Sequence, residues 1–215
     1  MSALRLRITE IFFSLQGEAS RVGLPTVFVR LTGCPLRCGY CDTEYAFQGG
    51  AWMSLDDILG RVRAHPTHHV TVTGGEPLAQ RDCPTLLTAL CDAGFDVSLE
   101  TSGALDITGV DRRVARIVDI KTPGSGEVER NLWANLADLT PRDEVKFVLC
   151  DAADYDWACQ VLREYRLSER AAILFSPVHG RLAPAVLADW ILRDGLPVRL
   201  QVQLHKLLWG GGPGR

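Results

Sequence analysis

Three cysteines crowd one short stretch, Gly33-Cys34-Pro35-Leu36-Arg37-Cys38-Gly39-Tyr40-Cys41-Asp42, at the spacing C-x₃-C-x₂-C. Thiols this close in sequence commonly hold a metal. Iron–sulfur clusters take cysteine ligands, and a four-iron cubane normally uses four of them, so a local trio leaves one iron with an open coordination position. Such a position is a place for chemistry. Zinc is the competing metal, but a closed structural zinc site wants a fourth protein ligand, and the sequence holds no second C-x-x-C pair. Gly33, Pro35 and Gly39 suit a loop wrapped around a bulky group, because glycine tolerates unusual dihedrals and proline stiffens the turn.

The elements that must carry this loop follow a repeating pattern. β-Branched and aromatic residues at Thr26-Val27-Phe28-Val29-Arg30-Leu31 predict a strand running straight into it. Ser54 reads as the N-cap of a helix reaching about Ala64, with Asp56 and Asp57 in its first turn. Strand His69–Thr73 follows, broken by Gly74-Gly75-Glu76-Pro77, and then a helix from Asp82 to Ala93 that Gly94 stops. Further strands are expected at Asp96–Glu100, Arg116–Ile120, Glu144–Leu149, Ala171–Phe175 and Val198–Gln203. Helical stretches are expected near Val128–Ala137, Asp154–Arg166 and Ala183–Arg193. Alternating strands and helices imply βαβ units and a parallel sheet, with the active site at the carboxyl ends of the strands. The cysteine loop, Gly74-Gly75-Glu76-Pro77, Glu100-Thr101-Ser102-Gly103 and Lys121-Thr122-Pro123 all fall at such ends. The chain is short for eight repeats, so the predicted fold is an α/β, incomplete, laterally open (β/α) barrel.

The chain has 215 residues, 47% of them hydrophobic, which suits one domain spanning 1–215 with a flexible tail from about 209 to 215 and burying roughly 70–75% of its unfolded surface. A formal charge of −3 and a pI near 6.0 argue against nucleic acid as partner, since such a surface carries a basic patch. Seven cysteines, three of them in one loop, do not form a secreted disulfide framework, and a reducing cytoplasm is the economical location. Arg5, Arg7, Glu10 and Glu18 interrupt the first twenty residues, so neither a signal peptide nor a membrane span is expected.

With Tyr40 just before its last cysteine, the cysteine loop resembles that of the radical S-adenosylmethionine (radical SAM) superfamily. Gly74-Gly75-Glu76-Pro77 looks like that superfamily's Gly-Gly-Glu-Pro motif. The resemblance implies a 4Fe–4S cluster on Cys34, Cys38 and Cys41, and SAM chelated to the fourth iron. It further implies SAM contacts from Tyr40, Cys41, Asp42, Gly74, Gly75, Glu76, Glu100, Thr101, Asp119, Ile120 and Lys121.

Glu10-Ile11-Phe12-Phe13-Ser14-Leu15-Gln16-Gly17-Glu18 resembles the N-terminal signature of the 7-carboxy-7-deazaguanine synthase family, with further matches at Arg30, Cys41-Asp42-Thr43, Thr73 and Gln203-Leu204-His205-Lys206. On that resemblance Leu15, Gln16, Gly17, Glu18, Arg30, Thr73 and His205 would contact a pterin substrate, and Thr43 would ligate Mg²⁺. An electron donor such as flavodoxin or ferredoxin, and a homodimer, are implied in the same way. Family members often end soon after the His-Lys pair, in some cases with a terminal proline whose carboxylate reaches the substrate, whereas this chain continues through Leu207-Leu208-Trp209 to Arg215. Two rivals remain at this level: an activase that abstracts hydrogen from a partner protein's glycine, and a zinc-binding interaction module.

Overall fold

The structure, a computed structural model, describes residues 4–210 and Gly214. Its strands are β1 (Arg5–Leu15), β2 (Pro25–Leu31), β3 (Ala51–Ser54), β4 (His69–Gly74), β5 (Asp96–Thr101), β6 (Ala115–Ile120), β7 (Glu144–Leu149), β8 (Ala172–Pro177) and β9 (Arg199–Leu200). The α-helices are α1 (Leu55–Arg63), α2 (Cys83–Asp92), α3 (Ala152–Glu164), α4 (Pro184–Asp194) and α5 (Leu204–Trp209). Among the described residues all nine strands form one sheet in the order β3-β1-β2-β4-β5-β6-β7-β8-β9. From β2 to β9 neighbours run parallel, while β1 pairs antiparallel with both β2 and β3. The terminal strands β3 and β9 do not pair, so the barrel is open along one side.

The alternation of side chains along a strand divides each parallel strand between two environments. One parity, Val27, Val29 and Leu31 in β2, Val70 and Val72 in β4, Val97 and Leu99 in β5, packs beneath Ile58 and Val62 of α1 and Leu86, Leu87 and Leu90 of α2. In the other half of the sheet Val118, Ile120, Val145, Phe147, Leu149, Ile173 and Phe175 pack against Tyr155, Ala158 and Leu162 of α3 and Leu187 and Ile191 of α4. The opposite parity faces the barrel interior and is largely polar: Arg30, Thr71, Thr73, Ser98, Glu100, Asp119 and Lys146.

Four expectations change. The long strand β1 and the short β3 add an antiparallel edge absent from the predicted pattern. The helix expected over Val128–Ala137 is two 3₁₀ pieces, Val128–Arg130 and Trp133–Asp138. Two asparagines break it, because their side chains bond elsewhere: Asn131 brackets Lys121, accepting from its N–H and donating to its carbonyl, each at 2.8 Å. Asn135 donates to Gly103 O and Leu105 O. The strand expected over Val198–Gln203 shrinks to Arg199–Leu200, because the chain turns there into α5. Of the tail expected from 209, Trp209 ends α5 and Gly210 caps it with φ +71°; residues 211–213 and 215 lie outside the described residues.

Candidate active site

The cysteine loop leaves the carboxyl end of β2 and meets the end of β4 backbone to backbone. Gly75 N–H donates to Leu31 O (3.2 Å) and Glu76 N–H to Gly33 O (2.8 Å). A Cβ on Gly75 would strike Gly33 O and stand 2.7 Å from the Cys34 Cβ, and one on Gly74 would strike Leu31 O. The glycines are therefore needed for the approach of these two strand ends. Glu76 is fully buried and its carboxylate is used within the protein, accepting from Ser102 N–H at 2.6 Å, Leu78 N–H at 2.9 Å and Thr101 Oγ1 at 3.0 Å.

A cavity of about 290 Å³ opens inside the barrel. Cys34, Cys38, Cys41, Tyr40, Asp42, Thr43, Gly74, Gly75, Thr101, Asp119 and Lys121 line its mouth, and Leu15, Gln16, Gly17, Glu18, Arg30, Thr73, Glu100 and His205 line its interior. Two expected residues do not face it with their side chains. Glu76 is occupied as described, and Ile120 points into the outer core.

The resemblance-derived stretch Leu15–Glu18 comes from the opposite end of the barrel. Leu15 pairs with Pro25, the first residue of β2, so the β1–β2 turn lies where the parallel strands begin. It crosses the lumen there: Ser20 N–H donates to Glu144 Oε1 at the start of β7 (2.9 Å), and Arg199 donates to Ser20 Oγ (3.1 Å). Ala19, with φ +62°, packs its methyl between Ile117 and Leu174 and stoppers the floor.

Charge in this lumen is largely paired. Burial opposes ionisation of Glu18, but Lys146 at 2.7 Å and the Gln203 amide at 2.8 Å together hold its carboxyl below the usual range. Lys146 is in turn pushed up, the carboxylates of Glu18, Asp119 and Glu100 outweighing its burial. Arg30 pairs with Glu10 through Nε at 2.7 Å, leaving the rest of its guanidinium toward the cavity, between the rings of Phe12 and Tyr45. Among the described residues Glu144 at the floor accepts from Ser20 N–H without an ion pair, and Glu100 also lacks one. Burial and the Glu18 charge raise its pKa, and its partners are neutral, Thr73 Oγ1 at 2.9 Å and Gln16 Nε2 at 3.4 Å. Gln16 is itself tied to Thr71 and to the Glu18 N–H, so two expected substrate contacts, Gln16 and Glu18, spend much of their side-chain capacity on the protein.

The residues present fit an iron–sulfur cluster with SAM. Burial pushes all three loop thiols above their ordinary pKa, so the positive charge that makes them thiolates must come from the metal. His65 and His69 stand at a zinc-like H-x₃-H spacing, but His65 stacks on Phe13 and His69 bonds Asp96. Two buried oxygens on the mouth, Tyr40 Oη and Asp119 Oδ1, lack hydrogen-bond partners. Native proteins rarely leave such atoms orphaned, and both face where a polar ligand would sit.

Reasoning from sequence missed Lys146, Phe12, Phe28, Tyr45 and Gln203, all on the cavity wall. For Phe28 and Lys146 the signal was available as strand parity, since Phe28 shares the inward set of Arg30 and Lys146 that of Glu144.

Residues 28–128 match the Radical SAM superfamily, the class whose cluster and cofactor this donor set fits. A 7-carboxy-7-deazaguanine synthase of Chlorobaculum tepidum is 50% identical over 207 residues, 95% of this chain and 94% of that one. Another, from Koribacter versatilis, is 43% identical over 219 residues, covering 95% and 97%. The chain belongs to the 7-carboxy-7-deazaguanine synthase family. Its fold is also that of the crystal structure of QueE from Escherichia coli, with a TM-score of 0.77, 24% identity and coverage of 94% and 95%.

Proposed function

We propose that this chain is a radical SAM lyase that contracts the pyrazine ring of 6-carboxy-5,6,7,8-tetrahydropterin, releasing ammonia and leaving 7-carboxy-7-deazaguanine, in queuosine and 7-deazapurine biosynthesis. The observation that carries this is one cavity lined at its mouth by the cysteine trio and at its interior by Arg30, Thr73, Glu100 and His205. A cluster-bound SAM and a small heterocycle would thus share one water-poor space. When bound, the cluster and SAM would supply a 5′-deoxyadenosyl radical that takes a hydrogen atom from the substrate and later returns one to the rearranged radical, so that SAM is re-formed.

The protein's task is placement and exclusion of other hydrogen donors. The Arg30 guanidinium suits the substrate carboxylate, since a planar fork matches a carboxylate. Phe12 and Phe28, stacked at 4.9 Å, offer a flat wall to the ring. Glu100, its pKa raised by burial and the Glu18 charge, would offer its carboxyl group to the hydrogen-bonding edge of the ring, with Thr73 fixing its orientation. Thr43, whose hydroxyl donates to Asp42 Oδ1 at 2.8 Å, would offer Mg²⁺ an oxygen ligand beside the substrate carboxylate, because magnesium keeps most of its waters and needs few protein donors. A flavodoxin- or ferredoxin-type donor, a homodimer and a cytoplasmic location complete the reading and rest on the family.

Anaerobic incubation of the reconstituted protein with SAM, reductant, Mg²⁺ and the carboxytetrahydropterin should yield the deazapurine by mass. The Thr43→Ala variant should lose its dependence on Mg²⁺. SAM cleavage without product from the pterin would overturn the substrate assignment, and an unchanged Mg²⁺ dependence would overturn that of Thr43.

A further inference from the structure

The cysteine loop is held from outside by a segment that no motif marks. Residues 122–127, between β6 and β7, form a tight turn whose groups reach the loop on either side of Cys38. Arg37 N–H donates to Glu127 Oε1 at 2.6 Å, and Gly39 N–H donates to Ser125 O at 2.9 Å. The turn is braced internally, Glu127 N–H donating to Ser125 Oγ (3.0 Å) and Ser125 Oγ to Thr122 O (2.6 Å). It is anchored beneath by Asp154, which is 1% exposed in the first turn of α3. That carboxylate accepts from Gly124 N–H (2.7 Å), Thr122 Oγ1 (2.9 Å) and Cys150 N–H (2.9 Å), and a Cβ on Gly124 would run into it.

We infer that Glu127 is a positioning residue for the metal-binding loop: by capturing the Arg37 amide it fixes the backbone from which Cys38 reaches the cluster. This rests on the reading of Cys34, Cys38 and Cys41 as cluster ligands. The amides of Arg37 and Gly39 flank a ligand directly, whereas the other backbone ties from the loop are at Gly33, which donates to Ala46 O and accepts from Glu76 N–H, each at 2.8 Å. Elsewhere the loop is held by side chains, with Leu36 buried, Asp42 paired with Lys206, Tyr45 donating to Glu10 and the Arg37 guanidinium over Phe47, 4.3 Å from the ring centroid; the backbone amides on either side of Cys38 are held by residues 125 and 127. Groups that orient metal ligands from behind typically change metal retention by about 10–100-fold when removed.

The test follows iron loss. Wild type, Glu127→Ala and Glu127→Gln are reconstituted anaerobically, their iron and sulfide counted, and release to a chelator is timed by the loss of cluster absorbance. The reduced-cluster electron paramagnetic resonance spectrum is recorded alongside. Glu127 is partly exposed, so both variants should fold, which circular dichroism checks. Glu127→Ala should take up a cluster but lose it roughly tenfold or more faster and show a broadened resonance, while Glu127→Gln, which keeps an acceptor oxygen, should stay within about twofold of wild type. Iron loss from Glu127→Ala at the wild-type rate would overturn the inference while leaving the cluster assignment intact. If wild type itself takes up no iron and sulfide, the cluster reading fails and the inference with it.

Discussion

His205 packs its imidazole against Gly17, where a Cβ would collide with Nδ1, and burial lowers its pKa below the ordinary value. The folded protein therefore holds a neutral imidazole at pH 7. The unfolded chain takes up a proton near pH 6.5 that the folded state refuses until lower pH, so stability falls as pH drops through that window. His205→Gln removes this penalty: between about pH 7.5 and about pH 5.5 its melting temperature should fall less than that of wild type. An equal fall would mean that His205 titrates as a free imidazole. The acid-side losses from Asp42 and Glu18, both held below their ordinary range by Lys206 and Lys146 despite burial, belong to a lower window, below the usual carboxylate pKa of about 4. The cysteine trio was legible from residue type and spacing, Arg30 only through the family resemblance. The occupation of Glu76 and Glu18 by protein partners was not, because local sequence does not show which residues 25 or 128 positions away will meet them.

Strand parity made most of the barrel readable: Val70-Thr71-Val72-Thr73 writes outside and inside in alternation, and the helix caps at Ser54 and Gly94 stand where expected. The lost helix over Val128–Ala137 has a physical cause, polar side chains that serve distant backbone rather than local structure. Asn131 and Asn135 turn an apolar, helix-like run into 3₁₀ pieces by pairing with Lys121 and with the loop after β5. Arg116, in a strand that was expected, has partners equally distant in sequence. It sits at the start of β6, 3% exposed, and forks onto Asp143 with Nε to Oδ1 at 3.0 Å and Nη2 to Oδ2 at 2.6 Å. Asp143 also accepts from Thr140 N–H and Oγ1, so one carboxylate closes the loop before β7. Removing Asp143 leaves the buried guanidinium with Asp138 alone and strips Thr140 of its acceptor, and each charge-assisted hydrogen bond lost is worth about 1.5–3 kcal/mol. Asp143→Ala should lose stability on that scale in urea unfolding, far from the cavity; a loss under about 1 kcal/mol would show that the pair is not desolvated in solution.

At the scale of the molecule, the open side of the barrel is crossed by the segment from β9 into α5. Leu204 N–H donates to Gly17 O (3.0 Å), Gln203 reaches Glu18, and Lys206 pairs with Asp42 at 2.6 Å. The C-terminal helix thereby ties the floor turn to the residue following Cys41. Because the Lys206–Asp42 pair is partly exposed, Lys206→Ala should cost at most about 1 kcal/mol in global stability. It should nonetheless speed limited proteolysis after Leu204, since local opening is governed by few contacts. Unchanged cleavage would show that Gln203 and the Leu204 amide hold the strap without it. The incomplete barrel was foreseeable from chain length; this strap was not, since Gln203-Leu204-His205-Lys206 reads equally as a strand end.

The β1–β2 turn, wedged across the base by Ala19 and bonded to Glu144, has a kinetic corollary. With that end stoppered, traffic into the lumen is left to the opposite end and the flank that the α5 segment crosses, and on the proposed reading substrate and product would share those routes.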